Sequence, residues 1–334
     1  MNAMSMNGNV LEGRLTRRQV LAAGVAGATS FVVADCGSAA KHAAAWTFVD
    51  DRKQTVRLAK RPTRIVGFTT AAAALAQWGV TPVGVFGQDP RDDPALVGFP
   101  WGESEVVGSV YGEIDLGLLL ELKAELIVSA WAPPFPLLFG FKDVAQQEQI
   151  GSQVPIVGLS GRPIATDQID RYRELARALG ADTTAVEIMR ARAAFLRAAA
   201  SLSKVSSRKS NLRIIAVSGD QNSMYVAKLV DFGDLSLYRR YGMPLISAET
   251  SDAYWDAFGW DHADKYPADG ILYDARQLYL SLREAKEIPE FAALPAVRAN
   301  QVAGWYVSPP PSYQAYAEAM GNLATAISGW RTVA

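Results

Sequence analysis

Cysteine and histidine are scarce in this chain of 334 residues, and their scarcity excludes several kinds of site. The single cysteine, Cys36, excludes an internal disulfide framework. The two histidines, His42 and His262, are too few for a three-histidine zinc or manganese site. The net charge is −1, so the composition gives no sign of the basic surface that is typical of nucleic-acid binding.

The amino-terminal segment predicts where the protein works. Arg17 and Arg18 precede a weakly apolar run, which is typical of a twin-arginine export signal. The run is too short to span a membrane, which takes about 20 apolar residues, and no later stretch is long and apolar enough. Cys36 follows the run, as in a lipoprotein whose cysteine is acylated, although Asp35 stands where a small uncharged residue is usual. Cleavage at the small residues 43–45 is the alternative and would leave the protein free.

Strand-like and helix-like segments alternate along the rest of the chain, which predicts an α/β fold. We expect two Rossmann-like lobes with parallel-rich sheets, joined by one long backbone helix. The predicted parts are an export signal and tether over 1–45, an N-terminal lobe over 46–165, a bridging helical segment over 166–210 and a C-terminal lobe over 211–334.

The bridging segment contains the longest predicted helix. Asp182 is expected to cap it, and it runs to about Lys204, long enough at roughly 33 Å to reach from one lobe to the other. Apolar residues recur there at alternating spacings of three and four. Such a stripe is typical of a helix face that packs on a core. Its members are Val186, Met189, Ala193, Leu196 and Ala200.

The sequence has few signatures of catalysis. It has no Gly-x-Gly-x-x-Gly turn after a strand, no phosphate-binding Gly-Lys-Ser/Thr loop and no Gly-x-Ser-x-Gly elbow. A Ser-His-Asp triad would depend on His262, because His42 lies in the tether. We therefore predict a binding protein, and an exported two-lobed enzyme is the less favoured alternative.

Aromatic and arginine side chains follow predicted strands in both halves. Ligands of open α/β sheets bind beyond the carboxyl ends of strands, where aromatic faces suit a bulky, partly apolar ligand and arginine suits an anionic group. Tyr225 is expected in the loop after a strand that ends near Gly219, and Trp255 beside a turn near Phe258. For any one of these residues, core packing or a surface position is an equal explanation. The candidate ligand-binding residues are Thr69, Arg91, Trp131, Phe135, Tyr225, Trp255, Arg276 and Tyr306.

Several stretches together resemble the class III periplasmic binding proteins, which serve iron–siderophore, haem and cobalamin importers. Residues 75–85 resemble that family's alanine-rich helix followed by Leu-Gly-Val and Pro-Val-Gly-Val. Residues 115–127 resemble its segment Asn-Leu-Glu … Leu-Lys-Pro-Asp-Leu-Ile. Residues 62–66, 267–272 and 294–302 are similar in the same order, so the resemblance covers nearly all of residues 46 to 330.

The resemblance implies an extracytoplasmic receptor of an ABC importer, which captures a ferric siderophore between its lobes and delivers it to a membrane permease. It implies a monomer on the outer face of the cytoplasmic membrane, with no resident cofactor because the siderophore itself holds the iron. One long helix as the hinge implies little closure on binding. A hydroxamate siderophore is favoured, since only scattered arginines are available for an anionic catecholate. Haem, cobalamin, and a binding or sensor lipoprotein that feeds no transporter are the alternatives.

The family usually carries one glutamate on each lobe to dock arginines of the permease. The first position falls at Gly117, so that contact is absent or displaced to Asp115, Glu113 or Glu121. The second falls at Asp261, which keeps the charge on a shorter side chain. The alternative role for Asp261 is a helix N-cap.

Overall fold

The computed structural model describes residues 46–276 and 279–334. The expected export signal with Arg17 and Arg18, and the expected lipid attachment at Cys36, lie outside these residues. Within the described ranges, no helix combines the length and the apolar character that crossing a membrane requires.

The first half of the described chain forms a small hairpin and a parallel sheet. The hairpin pairs β1 (Trp46–Val49) with β2 (Thr55–Leu58). The sheet contains β3 (Ile65–Phe68), β4 (Gly84–Phe86), β5 (Glu105–Gly108), β6 (Leu126–Trp131) and β7 (Ile156–Ser160). Its order is β5-β4-β3-β6-β7, and every neighbouring pair is parallel. The helices between these strands are α1 (Thr69–Gln77), α2 (Leu116–Glu121) and α3 (Val144–Gly151).

Two helices, α4 (Ala165–Ala178) and α5 (Val186–Arg208), lead to the second sheet. That sheet contains β8 (Ile214–Gly219), β9 (Ser223–Ala227), β10 (Trp255–Gly259), β11 (Gly270–Asp274) and β12 (Val302–Trp305). Its order is β10-β9-β8-β11-β12. Strands β8, β11 and β12 are parallel to one another, whereas β9 is antiparallel to both of its neighbours, β8 and β10. Its helices are α6 (Gly233–Arg240), α7 (Leu282–Ala285), α8 (Pro289–Ala293), α9 (Pro295–Arg298) and α10 (Tyr313–Ser328). The predicted α/β class with two parallel-rich sheets is confirmed.

One hydrophobic core connects the two sheets. It holds buried residues of β3 and α1 together with residues of β8 and β11, among them Ile65, Leu75, Ile214 and Leu272. Helices α4, α5 and α10 contribute much of the same cluster. Close-packed cores resist deformation, so this shared core holds the two sheets in a fixed relation.

The predicted buried face of α5 is wrong. Val186, Met189 and Leu196 are each about half exposed, at 54%, 50% and 52%. The face that packs inward consists instead of Ile188, Phe195, Ala199, Leu202 and Ser206. Both stripes have helical periodicity, and the larger Phe195 and Leu202 side chains bury more apolar area than the alanine-containing stripe.

Three local predictions also differ from the structure. The N-cap position of α5 is occupied by Ala185, so no side chain caps this helix. Asp182 lies three residues before Ala185, and its Oδ1 accepts hydrogen bonds from the amide and hydroxyl of Thr184 instead. Tyr225 lies within the antiparallel strand β9 rather than in a loop. Trp255 begins strand β10, where a turn was expected, because Trp255–Gly259 pairs along the edge of β9.

Adjacent residues of α5 provide a test of which face is buried. Phe195 is 3% exposed and its ring lies 5.6 Å from that of Tyr313, whereas Leu196 is 52% exposed. We expect Phe195→Ala to lower the free energy of unfolding by about 3–5 kcal/mol, because it leaves a cavity. Leu196→Ala, the matched control, should change it by less than about 0.5 kcal/mol in urea unfolding. Equal losses would contradict the assigned faces.

Candidate functional site

Aromatic rings cluster beyond the carboxyl ends of the first sheet. The ring of Phe68, at the end of β3, lies 6.4 Å from Tyr111 and 6.0 Å from Phe139. Tyr111 follows β5 and Phe139 follows β6, so three strands of one edge supply the cluster. We call Phe68, Tyr111 and Phe139 the first wall.

A second aromatic cluster belongs to the other sheet. The ring of Tyr225 lies 6.3 Å from Trp255 and 6.4 Å from Tyr279, which follows β11. We call Tyr225, Trp255 and Tyr279 the second wall. Phe232 and Trp305 pack behind Trp255 at 4.9 and 6.2 Å, so the wall is supported from the core.

The two walls lie near each other. Tyr111 of the first wall lies close enough to Tyr279 and Arg276 for their charges to affect its pKa, although burial is the main cause that raises it. Contacts across the two halves keep the walls in place. Phe135 stacks on Tyr254 with ring centroids 6.0 Å apart, and the Tyr254 hydroxyl donates to the Pro133 carbonyl at 2.9 Å.

Two further contacts join the halves through charged groups. The Tyr306 hydroxyl, just after β12, donates to Asp93 Oδ1 at 2.9 Å. Arg162, after β7, pairs with the buried carboxylate of Asp231. Both contacts involve residues that follow strands or precede helices, so the sheet edges themselves are linked.

Arg276 is the cation beside the second wall, and its charge is compensated. Its Nε and Nη2 lie 3.0 and 2.8 Å from the oxygens of Asp274, which is 2% exposed and also accepts from Ser218. Burial by itself lowers the pKa of Arg276. The hydrogen bonds and the charge of Asp274 outweigh burial and raise the pKa above its usual value, so the guanidinium stays charged. Its Cζ also lies 5.5 Å from the ring centroid of Tyr279.

Tyr225 and Tyr306 are neutral phenols at ordinary pH, because the pKa of each is raised. Burial and the neighbouring Asp220 raise the pKa of Tyr225, whose hydroxyl donates to that carboxylate. Burial and the neighbouring Asp93 raise the pKa of Tyr306 in the same way. The site therefore offers aromatic faces, phenol groups and one paired arginine, without an excess of positive charge.

A cavity of about 310 Å³ opens at the carboxyl ends of β11 and β12. Its lining includes Arg276, Tyr279, Ser281, Leu282 and Glu284. Its volume is at the low end for a small-molecule pocket, so by itself it holds only part of a bulky ligand.

The structure brings together some of the predicted binding residues and separates others. Tyr225, Trp255, Arg276 and Tyr306 lie around the second wall. Trp131 is the last residue of β6 and Phe135 lies in the loop that follows, where the Trp131 indole donates to the Phe135 carbonyl at 2.6 Å.

Two predicted binding residues are engaged elsewhere. Thr69 is buried at the first position of α1. Arg91 stacks on Trp101 at 3.9 Å from the ring centroid, and its Nη2 donates to the Ser104 carbonyl at 3.4 Å. Neither residue takes part in the aromatic contacts that form the two walls.

Sequence reasoning missed several residues of the site. Tyr111 and Tyr279 each stand a few residues beyond a strand, so the strand-end rule that selected Trp131 would have selected them too. Asp274 and Tyr254 carried no such signal, because Asp274 lies inside a buried strand and the contact of Tyr254 with Pro133 spans 121 residues.

The two docking candidates have different structural roles. Asp115 is the N-cap of α2, where its Oδ1 accepts from the Leu118 amide at 2.9 Å. Asp261 caps no helix, since it lies within the short 3-10 helix Trp260–His262, which has no side-chain cap. Its carboxylate is 74% exposed, with His262 Nε2 at 3.4 Å. The structure therefore gives the capping role to Asp115 and leaves the Asp261 carboxylate exposed.

The residues that the structure describes contain no cluster of three or more histidine, cysteine, aspartate or glutamate side chains that could hold a metal ion.

Solved structures provide the comparison, since no protein-family model and no curated protein matches the chain. DesE, a ferric-siderophore receptor protein from Streptomyces coelicolor, is 29% identical with a TM-score of 0.78, over 86% of this chain and 100% of that one. The siderophore periplasmic binding protein of the fuscachelin gene cluster of Thermobifida fusca is 18% identical, with a TM-score of 0.57, and the match covers 80% of this chain and 97% of that one. FhuD2 from Staphylococcus aureus with bound ferrioxamine B is 14% identical, with a TM-score of 0.56, and the match covers 79% of this chain and 98% of that one.

Asp234, buried behind the second wall, provides a test of this geometry by pH. Its Oδ2 accepts from the Trp305 indole at 2.6 Å, and burial raises its pKa to about 6. An unfolded aspartate titrates near 3.9, so between about pH 4 and pH 6 only the unfolded state releases the proton. The raised pKa therefore makes the protein less stable as the pH rises through this interval, by about 3 kcal/mol in all.

Asp234→Asn should remove that dependence while its amide oxygen still accepts from Trp305. Urea unfolding of both proteins across this pH interval measures the difference. Parallel pH profiles of wild type and variant would contradict the assigned environment of Asp234.

Proposed function

We propose that this chain, which belongs to the class III periplasmic binding proteins, is the extracytoplasmic receptor of an ABC importer and captures a ferric siderophore between its two walls. The observation that carries the proposal is the pair of neighbouring aromatic walls on a shared core. Stiff aromatic faces and phenol groups suit a large, partly apolar chelate. DesE, the 29% identical protein, is a ferric-siderophore receptor, which supports the same ligand class here.

The charges around the site favour a hydroxamate siderophore. Ferric iron bound by three hydroxamates has no net charge at its centre, whereas three catecholates leave a large negative charge. Arg276 is already paired with Asp274, and Asp93 and Asp220 add negative charge beside Tyr306 and Tyr225. A polyanionic chelate would meet these carboxylates with little compensation. FhuD2 binds ferrioxamine B, a hydroxamate, within the same fold.

The iron is cargo, held by the siderophore, and the protein needs no cofactor of its own. The protein binds its ligand rather than converting it, as do the binding proteins it resembles. It works as a monomer, and we propose that Cys36 carries the lipid that keeps it at the outer face of the cytoplasmic membrane.

Tryptophan fluorescence tests the ligand assignment, because Trp255 and Trp305 lie in or behind the second wall. We expect ferrioxamine B to quench it saturably, and to bind at least about tenfold more tightly than a ferric catecholate, haem or cobalamin. Tyr279→Ala should weaken that binding by about ten- to a hundredfold, since it removes an aromatic contact of about 1–3 kcal/mol.

Tyr241→Ala is the matched control, since Tyr241 lies outside both walls at the end of α6. Its affinity for ferrioxamine B should equal that of the wild type. The hydroxamate assignment is wrong if the catecholate, haem or cobalamin binds more tightly. The site assignment is wrong if Tyr279→Ala binds normally.

Delivery to a permease makes a prediction about Asp261. The exposed carboxylate is placed to meet basic residues of a partner, and such charges act mainly on association rates. Asp261→Asn should slow ferrioxamine B uptake by cells and reduce its salt dependence, while the isolated receptor binds ferrioxamine B normally. Glu290→Gln, an exposed carboxylate of α8, is the control and should leave uptake unchanged.

Gly117 provides the complementary variant. A Cβ at this exposed position would lie 3.2 Å from Asp115 Oδ1, and apart from its chain neighbours and the backbone of its own helix it meets nothing else within 4 Å, so a side chain fits with a small shift. Gly117→Glu should leave uptake unchanged or increase it. If cells that carry Asp261→Asn take up ferrioxamine B at the normal rate, Asp261 does not contact the permease.

A further inference from the structure

The outer face of α5 exposes an apolar stripe along the protein surface. Val186, Met189 and Leu196 are each half exposed, and Ala193 and Ala200 continue the stripe at the same spacing. The stripe extends over about 22 Å at 1.5 Å per residue. Large apolar side chains repeated along one exposed face are unusual for a soluble surface and mark a site of contact.

Three arginines border the stripe. Arg190 and Arg197 lie one helical turn from stripe residues along one edge, and Arg192 lies along the other. All three are exposed, and within the described residues none forms an ion pair or a side-chain hydrogen bond. Helix α5 contains five basic residues and one acidic residue, whereas the whole chain has a net charge of −1.

We propose that this face of α5 binds an anionic phospholipid surface. An aliphatic stripe bordered by arginines is the pattern of a helix that lies in the plane of a membrane interface. The stripe inserts among the acyl chains near the headgroups, and the arginine stems extend along the apolar boundary so that their guanidinium groups reach the phosphates.

The composition of the face favours lipid over a protein partner. A second copy of this chain would bring six arginines together around one apolar contact, which like-charge repulsion opposes. Protein interfaces usually depend on buried tryptophan, tyrosine or arginine anchors, and the stripe has no aromatic residue. Its side chains are instead short and aliphatic, which suits a disordered acyl phase.

Vesicle sedimentation tests the proposal with the full chain carrying Cys36→Ala, so that no attached lipid contributes. The probes are vesicles of phosphatidylcholine alone, and of phosphatidylcholine with an equal amount of phosphatidylglycerol. We expect binding to the mixed vesicles that weakens with salt and is at least about tenfold stronger than to phosphatidylcholine alone.

Two variants and one control locate the surface. Arg190→Gln with Arg192→Gln and Arg197→Gln should lose at least about tenfold in vesicle affinity, since each arginine contributes near an anionic surface. Met189→Ser with Leu196→Ser should lose binding without losing charge. The control, Arg239→Gln with Arg240→Gln and Arg298→Gln, removes three exposed arginines of α6 and α9 and should bind vesicles normally.

Ferrioxamine B should quench the tryptophan fluorescence of all these proteins equally. This readout separates the lipid proposal from the ligand assignment. The lipid proposal is overturned if both vesicle types bind equally, if the α5 arginine variant binds normally, or if the control loses as much affinity. Retention on immobilised polyglutamate without binding to either vesicle would assign the face to an acidic protein instead.

Discussion

The hydrophobic core shared by the two sheets is the constraint on which the rest of the structure depends. Buried residues from β3 and α1 belong to the same cluster as residues from β8, β11 and the helices between the sheets. A close-packed cluster of this kind does not allow the sheets to rotate apart without opening cavities. The carboxyl edges of both sheets are therefore held in a fixed relation, and the aromatic walls on those edges form a preformed candidate site.

A preformed site explains how charge can select the ligand. A receptor that does not reorganise cannot recruit distant cations, so the charges already present decide which chelates fit. Arg276 is held by Asp274, and the phenols of Tyr225 and Tyr306 are bound to carboxylates. We propose that such a site accepts a bulky ligand through its aromatic surface and selects against a high negative charge.

The sequence was sufficient for the fold class and for the two ends of strands at which the site forms. Periodicity and strand-end aromatics are local signals, and they selected Arg276 and Tyr306, which follow β11 and β12, but they placed Trp255 beside a turn although it begins strand β10. The buried face of α5 could not be predicted, because two apolar stripes share the helical period and only packing against α10 and Tyr313 selects Phe195 over Leu196. The same limit applies to Asp274 and Tyr254, whose roles depend on contacts with other parts of the fold. The roles of Asp115 and Asp261 were also decided by helix boundaries, which sequence defines poorly.

The position of the iron tests the central claim most directly. A crystal of the complex with ferrioxamine B, with data collected at the iron absorption edge, would locate the metal by its anomalous scattering. We predict that the iron lies between the first wall at Phe68 and Tyr111 and the second wall at Tyr279, with every ligand supplied by the siderophore. The two sheets should superimpose on the free structure within about 1 Å, as in other preorganised complexes. Iron bound by a protein side chain, or located outside the two walls, would contradict the account.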